Sequence, residues 1–419
     1  MRRLRRLFRL LFVRHRSLTV FTLLFFTTIT VAYASGFWLA ARLANVILLT
    51  IPLAWVWARY NLSGLEVDVE RPEERLQEGG DFEERISVTN KSWFTKLWLE
   101  VEDLWELPGR QPRRVISLPP RSTRSWRTVS TCSRRGLYNV GPVQVTTGDL
   151  FGLFRRSKTF GRPHTILVYP RAHELTNVVV PPAMLPGEGR FRRPTQQITP
   201  NAATLREYQP GDSLNRFHWP STARTGRLMV KLFELDPASD LWIVLDLEGK
   251  VQVGEGDDGT EEHAVRIAAS VARYFLLANR SVGFIAFGKQ FHLEEPERGL
   301  SQYTRILEAL ALARATGDVP LADLLSHEGR RFGRHTTIVV ITPSTDESWV
   351  ASMQTLAGQG AKRSAIVLEP RTFGGDESAL LVFTALAAAD VHTYLVKRSD
   401  DLNVALGASA EAVAGGGGA

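Results

Sequence analysis

The chain has 419 residues, enough for two or three domains with cores of their own, and its apolar and charged content is that of an ordinary globular protein. The net charge of +7 is concentrated in one place: Arg2, Arg3, Arg5, Arg6, Arg9, Arg14 and Arg16 precede the first apolar run with no acid among them, and these seven account for the whole excess. That distribution marks a membrane flank rather than a nucleic-acid groove, and Cys132, the only cysteine, excludes an internal disulfide and a CxxC metal site.

Behind the basic flank (residues 1–16) come two apolar runs. Ser17–Tyr33 carries no charge; Phe37–Trp57 carries only Arg42 and has Trp55 and Trp57 near its end. A spanning helix needs about 20 residues, with ~17 as the lower limit, so both runs qualify. Residues 17–58 therefore read as a transmembrane helical hairpin that turns at Ala34-Ser35-Gly36. Arginines before the first run and Arg59 after the second put both ends in the cytoplasm. The expected location is the inner (plasma) membrane, crossed twice, with the soluble parts cytoplasmic. The competing reading is a signal peptide cleaved at Ala32-Tyr33-Ala34, after which the second run would still act as an anchor.

From 62 to 171 the rhythm has period two. Leu97, Leu99 and Val101 alternate with Trp98, Glu100 and Glu102, and Ile86 with Val88 and Val143 with Val145 follow the same pattern. Turn signals at Glu78-Gly79-Gly80, Asn90-Lys91-Ser92 and Leu118-Pro119-Pro120-Arg121 separate the runs. The pattern predicts an all-β, sandwich-like domain. Arg134 and Arg135 read as a solvated strand edge, and Cys132 as a small buried hydrophobe. Residues 172–199, rich in Pro, Gly and Arg, read as a connecting loop.

Residues 237–406 alternate strand and helix. Leu241–Leu245, Val282–Phe287, Thr337–Ile341, Ala365–Leu368 and Val391–Val396 are strand-length apolar runs. Between them, Thr260 is positioned to cap a helix with Glu261 and Glu262 in its first turn, Tyr303–Ala315 has a helical stripe, and Asp376 is positioned to cap Glu377–Ala389. This predicts a doubly wound α/β sheet. Ligands of such sheets bind beyond the carboxyl ends of the strands, where Asp246, Glu248, Thr342, Ser344 and Asp346 fall. Their oxygens are candidates either for a divalent cation such as Mg²⁺ or for turn and helix caps. No G-x-G-x-x-G follows the first strand and no GxxxxGK[ST] occurs, which argues against a dinucleotide or P-loop cofactor. Residues 407–419 read as a flexible tail.

The densest stretch lies between these two domains, in residues 200–236. Leu205–Glu234 packs charges of both signs around a Pro-Gly turn and a Trp. Glu207, Asp212 and His218 are the acid–base candidates, but Ser213 and Ser221 lack an evident base, so no catalytic set is recognised and no enzyme is expected. A structural clasp fits the composition: Arg206, Arg216 and Arg224 would pair with Glu207, Asp212 and Glu234.

This stretch resembles the signature of the family known as domain of unknown function 58. The matching residues are Arg206-Glu207-Tyr208, Pro210-Gly211-Asp212, Arg216 with Trp219, and Ala223-Arg224. Upstream, Arg135-Gly136 and Asp149–Phe154 are similar to a second family landmark, with Leu150 where a Pro is more usual. The resemblance implies a von Willebrand factor A-like domain over 237–406. It also implies work alongside a MoxR-type AAA+ ATPase in chaperone-like complex assembly, and it carries no established enzymatic activity. Domains of that type hold a divalent metal with Asp-x-Ser-x-Ser. Here Asp246-Leu247-Glu248-Gly249-Lys250 lacks both serines, and Pro343 replaces the usual Asp after the strand ending at Ile341, so no cofactor is expected. The reading that results is a membrane-anchored adaptor or scaffold whose partners are the bilayer, an AAA+ ATPase and other proteins. The alternatives are a metal-dependent ligand-binding domain or an enzyme centred on the signature.

Overall fold

The computed structural model describes residues 16–71, 75–106, 108, 113–176, 178, 180, 202–207, 218–233 and 240–407. The chain divides into two compact units, Met1–Tyr169 and Pro170–Ala419.

The first unit begins with two helices, α1 (Arg16–Ser35) and α2 (Trp38–Asn61). They turn back on each other at Gly36, whose φ of 68° is left-handed and whose amide donates to the Ala32 carbonyl at 3.1 Å. They pack side by side, and Ala40, Ala44, Ile47, Ala54 and Ala58 of α2 are buried. The rest of α2 is equally apolar but exposed, with Leu43, Val46, Leu49, Leu53 and Val56 facing outward. α2 is the one described helix long and apolar enough to cross a bilayer; the apolar part of α1, Thr19–Ser35, is shorter. Two spanning helices were expected, and by length and composition only α2 reaches the mark.

Ten strands come next: β1 (Leu65–Glu70), β2 (Arg75–Gln77), β3 (Asp81–Asn90), β4 (Lys96–Asp103), β5 (Arg113–Leu118), β6 (Thr123–Thr131), β7 (Gly136–Val140), β8 (Val143–Gly148), β9 (Arg155–Phe160) and β10 (His164–Tyr169). They form sheets of order β1-β3-β6, β5-β4-β8-β9 and β2-β10-β7. The first two sheets share one core: Leu65, Ile86 and Val88 meet Leu99, Val101, Ile116, Val143 and Val145. A second cluster lies on the third sheet, where Leu76, Val140, Ile166 and Val168 pack with Phe82, Trp105 and Cys132. Period two in the sequence is thus period two in burial. Arg135 departs from its reading: it is fully buried, not on a solvated edge. A bulge between Lys96 and Leu99 puts Trp98 at φ 50° and leaves its side chain exposed.

In the second unit, β11 (Ala202–Glu207) pairs antiparallel with β12 (Met229–Phe233), with the short helix α3 (Trp219–Thr225) between them in sequence. Beyond them lies a six-stranded sheet built from β13 (Asp240–Asp246), β14 (Val282–Phe287), β15 (Phe291–Glu297), β16 (Thr336–Thr342), β17 (Lys362–Leu368) and β18 (His392–Val396). Its order is β15-β14-β13-β16-β17-β18, and every pairing is parallel except β14 with β15. The five apolar runs seen in the sequence are the five parallel strands. The antiparallel strand β15 had no such signal: its charges and Pro296 suit an edge, where a missing amide costs no ladder bond.

Helices cover both faces. On one face α6 (Leu321–Glu328), α7 (Ser348–Gly358) and α8 (Leu380–Ala388) pack Leu325, Trp349, Met353 and Leu386 onto Trp242, Val244, Val340 and Val367. α4 (Thr260–Leu277) lies against β13, β14 and β16 and is joined by α5 (Leu300–Leu312), while α9 (Leu402–Gly407) packs on β18. Gly259, not Thr260, is the residue before α4; the Thr260 hydroxyl instead accepts from the Val253 amide at 2.9 Å and donates to Gln252. The helix expected at Tyr303–Ala315 begins at Leu300 and ends at Leu312. The helix assigned to Glu377–Ala389 starts at Leu380, and its cap is not Asp376.

Candidate functional site

The parallel strands change direction of winding between β13 and β16. β14 lies on one side of β13, whereas β16, β17 and β18 continue on the other. This switch point is where an open sheet leaves a crevice at its carboxyl edge. Asp246, the last residue of β13, and Thr342, the last of β16, meet there. The Thr342 hydroxyl donates to Asp246 Oδ2 at 2.6 Å, and the Glu248 amide donates to Asp246 Oδ1 at 3.0 Å. The chain of bonds then runs outward: the Ser344 amide donates to Thr342 Oγ1 at 2.8 Å, the Asp346 amide to Ser344 Oγ at 3.3 Å, and the Ser348 amide and hydroxyl to Asp346. The sequence-derived rim set is therefore brought together: Asp246, Thr342, Ser344 and Asp346 each close a local turn with the side chain, whereas Glu248 contributes its backbone amide.

Asp246 is 2% exposed, and burial pushes its carboxyl up to about 6 against the lowering effect of its bonds to Thr342 and Glu248. Asp346, by contrast, is held below the usual carboxylate range by the Ser348 hydroxyl and amide. Among the described residues no group of three His, Cys, Asp or Glu is placed to hold a metal ion. Three loops crowd the same edge. The Gly249 amide donates to the Gly317 carbonyl at 2.9 Å and the Gly317 amide to the Leu247 carbonyl at 3.0 Å, and a Cβ on Gly288 would lie 2.3 Å from the Arg314 carbonyl oxygen. Glu369, one residue past β17, was not singled out from sequence. It is buried and accepts from the Ala379 amide at 3.3 Å, which starts α8. Its place next to a strand end was the available signal.

The signature stretch is described in part. Arg206 and Glu207 lie on β11, where they pair with Val230 and Met229. His218 precedes α3, and its Nδ1 meets Ser221 Oγ at 2.8 Å and accepts from the Ser221 amide at 3.3 Å. His218 is thus a helix cap. Trp219, Ala223 and Arg224 are exposed on α3. Tyr208, Pro210, Gly211, Asp212, Arg216 and Glu234 lie outside the described residues. Arg224 is exposed, and Asp212 and Glu234, two of the acids expected to pair with the arginines of this stretch, lie outside the described residues.

The first unit holds a cluster that sequence reasoning missed. Glu84 sits on the inward face of β3 between Phe82 and Ile86. Its neighbours are Arg71, whose Nε is 3.4 Å from Glu84 Oε2 and whose Nη2 is 2.5 Å from Asp103 Oδ2. Both acids are fully buried, and apart from the 3.4 Å approach neither Glu84 oxygen nor Asp103 Oδ1 meets a donor among the described residues. One cation cannot balance two buried carboxylates. Burial, and after it the neighbouring Asp103 carboxylate, push the Glu84 carboxyl up to about 8, against the pull of Arg71.

The geometry defines a two-unit protein: a β-rich unit built onto an apolar helix, and a mixed α/β unit with a closed polar rim at its switch point. A family model described as "Protein of unknown function DUF58" matches residues 204–371. The chain is similar to the uncharacterized protein YeaD of Bacillus subtilis, at 25% identity over 363 residues, covering 84% of this chain and 87% of that protein. It is also similar to the uncharacterized protein Rv1480 of Mycobacterium tuberculosis, at 27% over 175 residues, covering 40% of this chain and 54% of that one. Among solved structures, a CARDB domain from Pyrococcus furiosus is 17% identical and covers 25% of this chain and 94% of its own, with a TM-score of 0.19, too low to equate the folds.

Proposed function

We propose that this chain is a membrane-anchored adaptor or scaffold that works with a MoxR-type AAA+ ATPase in the assembly of other proteins. The observation that carries the reading is α2. Its outward face is a continuous apolar surface that water would not tolerate, and its last turn is bonded into the β-rich unit. A helix so placed anchors the β-rich unit to the bilayer. In this reading α1 returns beside α2 as the other half of a hairpin at the inner membrane, and both soluble units face the cytoplasm.

The second unit reads as von Willebrand factor A-like. Counting β13 as the first strand, its order 3-2-1-4-5-6 with an antiparallel third strand supports this, as does an Asp at the end of the first strand. The rim supports a protein-binding role over a metal-dependent one, because Asp246 already accepts from Thr342 and Glu248. The ATPase partner is supported by the family resemblance of the Arg206–Arg224 stretch.

Purification of the tagged full-length protein from membranes in mild detergent tests the reading. An AAA+ ATPase should co-purify; recovery of the protein alone, from membranes in which such ATPases are present, overturns it.

A further inference from the structure

The β-rich unit carries a second apolar surface, and it surrounds the end of α2. The β3–β4 loop exposes Trp93 (71%) and Phe94 (61%), the bulge in β4 exposes Trp98, and the β8–β9 turn exposes Phe151. These are not loose loops. Asn90 is fully buried beneath the first one. Its Nδ2 donates to the carbonyls of Phe94 and Pro119, both at 2.8 Å, and its Oδ1 accepts from the Ser92 amide and hydroxyl. Arg121, at φ 50°, stacks its guanidinium 3.5 Å from the centre of the Trp93 ring. Asp149 holds the Phe151 turn by accepting from the amides of Phe151 and Phe154. Trp98 and Arg121 are both non-glycine residues in the left-handed region, a conformation that costs on the order of 1–3 kcal/mol and persists where the surroundings impose it. The fold therefore holds large aromatics rigidly in the open instead of burying them.

Their position relative to α2 is fixed within the unit. The Phe94 ring lies 5.4 Å from that of Tyr60, in the last turn of α2. Asn61, the final residue of α2, donates to the Leu97 carbonyl at 2.7 Å, next to Trp98, and to Thr147 Oγ1, two residues before the Phe151 turn begins. The Phe151 ring meets that of Phe21 of α1 edge to face, with centroids 5.7 Å apart. With 24 residues, α2 is ~36 Å long at about 1.5 Å per residue, against roughly 30 Å of hydrocarbon, so its last turn reaches headgroup depth. Aromatic rings and arginines at the two rims are the pattern of a membrane interface: Trp38 with Arg42 at one end of α2, and Trp55 with Arg59 and Arg156 at the other.

We infer that the Trp93–Phe94 loop, Trp98 and the Phe151 turn form a foot by which the β-rich unit rests in the phospholipid headgroup layer, its rings among the glycerol backbones and Arg121 among the phosphates. The foot fixes the orientation of the β-rich unit over the bilayer, where a free tether would leave it to tumble. This rests on the reading of α2 as a membrane anchor.

The full-length protein, reconstituted in vesicles of phosphatidylethanolamine and phosphatidylglycerol, tests it with nitroxide labels on single introduced cysteines. Cys132 stays in place, because it is buried and burial pushes its thiol up, out of reach of the label. Labels replace Leu49 on α2, Phe94, Phe151, and Val129, which lies six residues along β6 from Thr123, where the strand begins beside Arg121, about 20 Å away. All four positions are exposed, so the labels leave the core intact. Collision with oxygen, which concentrates in lipid, against a water-soluble nickel chelate reads depth. Position 49 should be deep, 94 and 151 at headgroup depth, and 129 in water. If 94 or 151 matches 129 while 49 is deep, the foot is wrong and its surface belongs to a protein partner. If 49 lies in water, the anchor and the foot both fall.

Discussion

At the scale of single residues, burial raises the carboxyls of Glu84 and Asp246 alike, and both sites are testable. Glu84 folds with its carboxyl raised from 4.5 to about 8. A carboxyl raised in the folded state contributes stability that is complete below its unfolded value and is lost as pH rises through its folded value. The first unit should therefore lose stability between pH 4.5 and about 8, on the order of a few kcal/mol. Glu84→Gln keeps a neutral donor towards Asp103 and cannot ionise. Denaturant unfolding across that range should show the variant level where the wild type falls; parallel curves would mean that Glu84 is already ionised. At the other site Thr342→Val keeps the shape but removes the donor to Asp246 and the acceptor of the Ser344 amide. It should cost ~1–3 kcal/mol. Because Thr342 lowers the Asp246 carboxyl, the variant should raise it further, so the loss should grow as pH rises past about 6. Unfolding curves on either side of that pH check both the size and the direction.

At the scale of elements, the parallel strands were legible because each is a run of β-branched and apolar residues buried on both faces, as β16 is throughout its length. Short α6 and α7 were not, since eight and eleven residues give too little periodicity to stand apart from a loop. The α8 cap was misread for another reason: Asp376 is nearby in sequence, but the acceptor that starts the helix is Glu369, ten residues upstream of Ala379, and only the turn at the end of β17 brings it there. The rim followed the same logic. Asp246 and Thr342 were both legible as strand-end residues, yet their bond spans 96 positions and exists only because β13 and β16 are neighbours. Glu84 was legible in principle, being on the inward side of an alternation with Phe82, Ile86 and Val88. Close packing of the loops over the rim was not legible, but it is testable. Gly288→Ala would place a methyl 2.3 Å from a backbone oxygen and should destabilise the second unit by about 1–3 kcal/mol. Gly358→Ala, in α7 with open space around it, should stabilise the unit by ~0.4–1 kcal/mol. Thermal melts of the pair separate crowding from a general intolerance of glycine replacement.

At the scale of the whole molecule, α2 and the β-rich unit cannot be parted cleanly where the helix ends. Asn61 is a helical residue that does the work of a core residue: it is 3% exposed, and its amide group joins Leu97 at both backbone atoms and Thr147 at its hydroxyl. One residue earlier, the Tyr60 carbonyl accepts from the Lys96 ammonium at 2.6 Å, and the Tyr60 ring lies 4.8 Å from the same nitrogen. Lys96 is buried, and burial lowers its pKa, so it depends on those partners to stay charged. A soluble fragment that starts at Leu62 removes all of them and strands a buried ammonium and two backbone groups of β4. A fragment that starts at Ala58 keeps them. The longer fragment should be the more stable by at least ~1 kcal/mol in denaturant, and the difference should shrink as pH rises and Lys96 in the shorter fragment gives up its proton. Equal midpoints for the two fragments would mean that water replaces the helix end without loss, and that the helix is joined to the β-rich unit as a tether.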